Sequence, residues 1–455
     1  MVESGMRSTR RPLFFLATST AAAVLAAATS VAVSSPAMAA VPAIQPGNRP
    51  TALAGAENGY VGGDRLITVI PGCRVSREAA PSLALLYRMA AGANVGLGAR
   101  DCYRPLSGQV SASANATAAG NSACAATPAT YPDGRPRGTS MHGWGKAVDF
   151  SEPRGITFSS PGYRFLKARG AAVGWNHPGW AEPGGSACPE QWHWEWVGDG
   201  GTVGGGPVRA DVVSLLPAAD GGGYAAVTGL GAVIPKGSAR SFGAVDAVPL
   251  SWVIVGAAPT PDRDGYWLLG ADGGIFNFGS AAFHGSTGDL RLNAPIIAMA
   301  PTPNGGGYWL VASDGGVFSF GNATFYGSTG AMRLNSPVVG ISATADGKGY
   351  WLVAADGGIF NFGSAAFKGS TGNIRLAQPI VAMAPSAGGA GYWLVASDGG
   401  VFAFGDATFL GSAAGRGIAS PTVALTRTPK GDGYWITAAD GTVVNLGAAG
   451  DFGPG

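Results

Sequence analysis

Two different rhythms of apolar and polar positions run along the chain, and they meet near residue 206. Beyond that point short apolar runs alternate with glycine-rich turns, and the whole pattern repeats. Gly-Tyr-Trp recurs with its tryptophan at Trp267, Trp309, Trp351, Trp393 and Trp435, 42 residues apart each time, and Gly223-Tyr224-Ala225 forms a degenerate copy one period earlier. One unit predicts an apolar strand over 337–343, a strand over 350–354, an Asp-Gly-Gly turn, a strand over 359–362 and a short fourth over 366–369. Asp-Gly between apolar runs signals a hairpin, because both turn positions tolerate left-handed backbone. Four short strands at a period of about 40 residues fit the blade of a β-propeller, whose faces are buried only by stacking on neighbouring blades. The expectation is an all-β propeller of six blades over 207–455, with a β-solenoid as the alternative. The repeated Trp and Phe are expected as blade core, since they recur at one register in every copy.

Ahead of the repeat the periods are mixed. Alternation over 65–70 predicts a strand, and Pro71-Gly72 a turn. Leu83, Leu86, Met89 and Ala90 share one helical face, which predicts a helix over 81–91 with Pro81 in its first turn and Gly92 at its end. A strand over 97–103 leads to Arg104 and Gln109. Residues 111–137, rich in Ser, Ala, Asn and Pro, show no period and read as a long loop carrying Cys124. A second helix is expected from Pro161 to about 172, capped by Ser159 or Ser160, and a strand over 192–197 closes the region. The resulting division is a flexible lead-in at 40–58, a domain at 59–198, a linker at 199–206 and the repeat at 207–455.

Composition narrows this picture. With 76 glycines, 31 prolines and 12 tryptophans, 46% hydrophobic and only 12% charged residues, the chain has ample material for cores and for tight turns. A net charge of +2 offers no basic field for nucleic acid. Arg7, Arg10 and Arg11, a mostly apolar run over 13–33 and Ala37-Met38-Ala39 predict a signal peptide over 1–39. Thr9-Arg10-Arg11-Pro12-Leu13-Phe14 leaves both the general secretory and the twin-arginine routes open. No second run of spanning length follows, so the mature chain is expected without a transmembrane anchor, secreted or associated with the cell wall. Cys73, Cys102, Cys124 and Cys188 then predict two disulfides, with three pairings open.

Candidate chemistry concentrates in two motifs, Ser140-Met141-His142-Gly143-Trp144-Gly145-Lys146-Ala147-Val148-Asp149 and Glu190-Gln191-Trp192-His193-Trp194-Glu195. A tight turn entering a strand at 146–150 would bring the His142 imidazole near the Asp149 carboxylate. A strand over 192–197 places His193, Glu195 and Val197 on one face and three tryptophans on the other. Two histidines and one aspartate leave zinc a fourth position for water, the pattern of a catalytic site. A histidine beside a glycine-rich turn is more often a surface or hydrogen-bonding residue, and His177 and His284 are read that way. Glu195 reads either as a solvated strand residue or as a rival general base.

Ser-x-His-x-x-Gly-x-Ala-x-Asp followed by Glu-x-Trp-His resembles the VanY-type D-alanyl-D-alanine carboxypeptidases, zinc metallopeptidases of the bacterial cell wall. The resemblance covers roughly residues 60–198. It implies a small α+β domain with an antiparallel sheet, related to the Hedgehog signalling domain. It further implies zinc on His142, Asp149 and His193, Glu190 as general base, and Arg104, Gln109 and Ser140 in substrate binding. Pro105 stands where the family has Ser, and Gly170 where many relatives carry Asn. The function so implied is an exported zinc peptidase removing terminal D-alanine from peptidoglycan stem peptides; the repeat is expected, from its architecture alone, as a module that binds wall polymer or protein. The alternatives are a peptidoglycan endopeptidase and a non-catalytic adhesion or scaffold protein.

Overall fold

Pro71-Gly72 turns the chain back on itself, with Gly72 at φ +81°, to form a hairpin of β1 (Leu66–Ile70) and β2 (Cys73–Ser76). The computed structural model describes residues 52–455 except 54, 122–123, 125, 127, 131–135, 186–187, 199–201, 204–205 and 208–210. The expected signal peptide, the lead-in up to 51 and most of the linker lie outside the described residues. After the hairpin, α1 (Ala80–Gly92) buries Leu83, Leu85, Leu86 and Ala90, with Pro81 in its first turn as expected. Then follow β3 (Gly98–Asp101), α2 (Leu106–Ala118), β4 (Ala147–Ser151), α3 (Pro161–Arg169), β5 (Trp175–Asn176) and β6 (His193–Trp196). β3, β4, β6 and β5, in that order, make one antiparallel sheet of four strands. Ser160 caps α3 by accepting from Tyr163 N, and Gly170–Val173 continues it as a 3-10 turn. A Cβ on Gly170 would come 2.8 Å from Trp175 O, so the site admits no side chain.

α2 corrects the long loop expected from residue 111. Its alternation of Ala with Ser, Asn and Thr shows no apolar stripe, and only Leu106 and Gln109 are buried. Alanine's helix propensity decides the conformation there, and Ser111 and Thr117 bond back to the carbonyls four residues before them.

Each repeat unit builds a three-stranded antiparallel sheet. The first strands are Val212–Pro217, Ile254–Pro259, Ile296–Pro301, Val338–Ala343, Ile380–Pro385 and Thr422–Arg427. Each packs beside the next, and Thr422–Arg427 also lies beside Val212–Pro217. The second strands are wholly buried, and their five tryptophans are 0–1% exposed. Not all repeated aromatics are core: Phe283, Phe325, Phe367 and Phe409 are more than half exposed, against the expectation for them.

The expected fold class is corrected. The chain is not an α+β peptidase domain followed by a propeller of four-stranded blades. It is mostly antiparallel β in many small sheets, none wider than four strands and none closing into a barrel, with three α-helices among the described residues. The missing fourth strand has a specific cause. In the unit of Trp351, the Ala366 carbonyl accepts from Trp351 Nε1 at 2.8 Å, Lys368 N donates to the Tyr392 hydroxyl at 3.2 Å, and that hydroxyl donates to Gly369 O at 2.6 Å. Side chains thus satisfy the backbone groups that a ladder would have used. Since Tyr392 belongs to the next unit, the same bonds fasten one sheet to its neighbour.

The region before the repeat packs directly on it. Thr68 N donates to Ser251 O at 2.9 Å, Arg77 reaches the carbonyls of Asp246 and Val248, and Arg169 donates to Gln378 Oε1 at 3.0 Å. One buried core runs from Ile67 through Trp194 to Trp267 and Val423. No helix among the described residues is long and apolar enough to cross a membrane.

Candidate metal centre

The centre is assembled by one turn and two paired strands. Met141–Trp144 forms a 3-10 turn capped by Ser140, whose hydroxyl accepts from His142 N at 3.3 Å. Gly145 ends it at φ +66°, where a Cβ would stand 2.7 Å from Ser76 N. The chain then enters β4, and Asp149 pairs directly with His193 across the β4–β6 ladder. Directly paired residues project on the same face. Trp194 and Trp196 are buried in the core behind it and Trp192 is half-buried against it, as the alternation predicts.

His142 Nε2, His193 Nδ1 and Asp149 Oδ1 form a triangle with sides of 3.1, 3.1 and 3.2 Å. Three such atoms cannot all be satisfied by linear hydrogen bonds among themselves. Ligand atoms around a tetrahedral ion with bonds of about 2.0–2.1 Å stand about 3.3 Å apart, so the triangle has the dimensions of a metal site. The outer nitrogens agree. His142 Nδ1 lies 2.6 Å from Cys102 O, and His193 Nε2 lies 3.2 Å from Glu195 Oε1. With a proton on each outer nitrogen, the inner lone pairs both point into the triangle. His142, Asp149 and His193 can therefore hold a metal ion.

Electrostatics follow from this crowding. Burial alone would raise the Asp149 carboxyl, but the two imidazoles, by charge and hydrogen bond, hold it far below the usual range. Burial opposes a charge on His193, yet Asp149 and Glu195 outweigh it and push the imidazole up to about 9. Burial raises Glu190, opposed by His193 and reinforced by Asp149.

Glu190 stands just outside the triangle, its Oε2 3.9 Å from His193 Nδ1. Glu195, the rival base, is turned to the far side of His193 and orients that ring. Arg104 Nη2 is 3.6 Å from Asp149 Oδ2, but the guanidinium is clamped to Asp101 at 2.5 and 2.6 Å. Gln109 and Ser140, expected to touch substrate, are instead buried in the scaffold. Gln109 Oε1 accepts from the backbone of Thr139 and Ser140, and its amide donates to Asn58 Oδ1, while Asn58 Nδ2 donates to Ser140 O.

Four contributors escaped the sequence reading. Asn58 lay in the expected lead-in, and Asp101 carried only the weak signal of lying three residues before Arg104. Trp180 packs over His193 with ring centroids 4.9 Å apart. His177, expected as a surface or hydrogen-bonding residue, is buried and does the latter at the site, holding Glu190 O at 2.9 Å through Nε2 and pairing with Glu182 through Nδ1 at 3.0 Å. His284 lies far from the triangle in the repeat, where its Nε2 meets the Gly305 carbonyl at 3.0 Å and its ring packs on Tyr308 with centroids 5.5 Å apart. The disulfides pair Cys73 with Cys102 and Cys124 with Cys188. The first ties β2 to the residue whose carbonyl orients His142, and both are compatible with an oxidising compartment.

No family model matches the chain, and no curated protein matches it. Among solved structures, a structural genomics protein of unknown function from Bacteroides thetaiotaomicron is similar to it, at 12% identity and a TM-score of 0.37, over 53% of this chain and 70% of that one.

Proposed function

We propose that the chain is an exported zinc peptidase of the VanY type, acting on peptidoglycan stem peptides and releasing terminal D-alanine. The observation that carries the reaction class is the separation of roles around one triangle. Three donors converge with their outer atoms held, and a second carboxylate, Glu190, stands beside them without being one of them. The substrate class rests on the resemblance of the two motifs. Zinc, when bound, lowers the pKa of its water and polarises a carbonyl. Glu190 accepts the proton of the attacking water and returns it to the leaving amine, a role its position beside the triangle favours. His177 fixes the Glu190 backbone and Glu195 fixes the ring of His193, so both act by positioning. Arg104, held flat by Asp101 beside Asp149, offers its remaining donors to a substrate carboxylate or a developing oxyanion. The repeat, which bears on the peptidase region through a continuous core, is read as the part that binds wall polymer or protein.

Mass analysis of muropeptides incubated with the zinc-loaded protein tests this reading. Loss of one alanine is expected. Two peptide fragments would make the chain an endopeptidase, and intact muropeptides with one zinc bound per chain would assign the metal a structural role in an adhesion or scaffold protein.

A further inference from the structure

At two nearby positions of the repeat a single unit carries an arginine where the other five carry glycine, or proline and alanine. In the turn after the first strand, five units carry Gly221, Gly305, Gly347, Gly389 and Gly431, with φ between +65° and +73°. The remaining unit carries Arg263 there at φ +61°, a left-handed conformation that disfavours any residue with a Cβ. At the last position of the first strand, five units carry Pro217, Pro259, Pro301, Ala343 and Pro385. The sixth carries Arg427.

These two arginines approach the same place. The strand Val212–Pro217 lies between Ile254–Pro259 and Thr422–Arg427, and Arg263 Nη1 donates to Pro217 O at 3.3 Å. From the other side, Arg427 Nη1 donates to the carbonyls of Thr428 and Pro429 at 3.3 and 3.2 Å, and Pro429 packs against Gly221 of the Val212–Pro217 unit. Both side chains are half-buried. Burial depresses both guanidiniums, and the charge of Arg427 depresses Arg263 further. Among the described residues neither arginine has a carboxylate partner. Of the acids of these turns, Asp220 Oδ1 is bonded to Gly222 N and Ser238, Asp262 Oδ1 to Thr260, Asp264 N and Ser280, and Asp432 Oδ1 to Thr428, while the exposed Asp264 carboxylate makes no ion pair with either arginine.

Two like charges, half-desolvated and partnered only by backbone carbonyls, are an unfavourable arrangement in isolation, and left-handed strain at Arg263 adds to it. An anion between them removes the conflict. Guanidinium forks match the oxygens of a tetrahedral oxyanion better than any other side chain. We propose that Arg263 and Arg427 form a phosphate-binding site at the turn end of the first strands, the end opposite Ser251 and Trp252, where the metal-bearing region packs. The ligand is either free phosphate or a phosphomonoester group of a larger molecule.

Calorimetric titration of the full chain at low ionic strength, with inorganic phosphate in one arm and glycerol 3-phosphate in the other, tests the site. Saturable binding at one phosphate per chain is expected, weakened at least about tenfold in Arg263→Gly and in Arg427→Ala. Tighter binding of the ester than of the free ion assigns the ligand to a larger molecule, and equal or weaker binding of the ester assigns it to the free ion. Arg263→Gly installs the residue that five units already carry, so its fold is retained. In phosphate-free buffer this variant should melt above the wild type, and added phosphate should raise the melting point of the wild type alone. No saturable binding to the wild type, undiminished binding in either variant, or an equal thermal response to phosphate in wild type and Arg263→Gly overturns the proposal.

Discussion

The region of the candidate metal centre and the repeat are built on opposite terms. In the repeat, one set of contacts is made again and again: a buried Trp, its indole bonded to a carbonyl fifteen residues on, and a Tyr hydroxyl fastening the unit before it. Around the metal triangle every contact is made once, between residues 44 and 51 positions apart for His193 with Asp149 and with His142. Redundancy localises damage in the first case, and its absence concentrates damage in the second. The contrast predicts that the proposed function is lost at the triangle without unfolding, and that stability is lost in the repeat without disturbing the triangle.

Substitutions chosen to separate those two outcomes give the predictions. The largest effect is expected from His193→Ala, which should abolish stoichiometric metal binding while the circular dichroism of the β-rich chain stays unchanged; retention of one tightly bound metal would break the account of the site. Next, Trp351→Ala should cost about 3–5 kcal/mol in denaturant unfolding, since it empties a fully buried site. Its metal content should stay at the wild-type value, and a parallel loss of metal would show that the two regions are not energetically separable.

Smaller and sharper is Glu195→Gln, which leaves the three ligands in place but weakens the acceptor behind His193. Metal affinity should fall by about 10–100-fold in competition with a chelator. The smallest effect concerns acid stability. Burial pushes the Glu182 carboxyl up, but Lys167, His177 and Tyr163 prevail and bring it from its ordinary 4.5 to about 2. A carboxylate depressed on folding stabilises the protein above its unfolded value and loses that contribution as pH falls. Glu182→Gln should therefore unfold more easily than the wild type above pH 4.5, with the difference vanishing between about pH 4.5 and 2.

The same contrast explains what could be read in the sequence. A period of 42 residues made the units visible, and alternation in Trp192 to Val197 showed which face His193 occupies. The fourth strand was misread because its apolar character is real, while the groups that satisfy its backbone come from Trp351 and from Tyr392 in the next unit. α2 was missed because its alanines carry propensity without a pattern. At the site, His142, Asp149 and His193 were legible from the turn-and-strand pattern of the two motifs together with the resemblance, and the structure brings all three together. Asn58, Asp101 and Trp180 were not, since each acts through a contact that exists only after the strands have paired. Gln109 and Ser140, which the resemblance implies as substrate-binding, are bonded to the backbone of the turn that carries His142.

The central claim is that Glu190 works beside the metal ligands without being one of them. Metal content and muropeptide cleavage measured together on Glu190→Ala test it directly. One metal per chain, with turnover reduced by about 100- to 10,000-fold, is the predicted result. Wild-type turnover, or loss of the metal along with the activity, would contradict it.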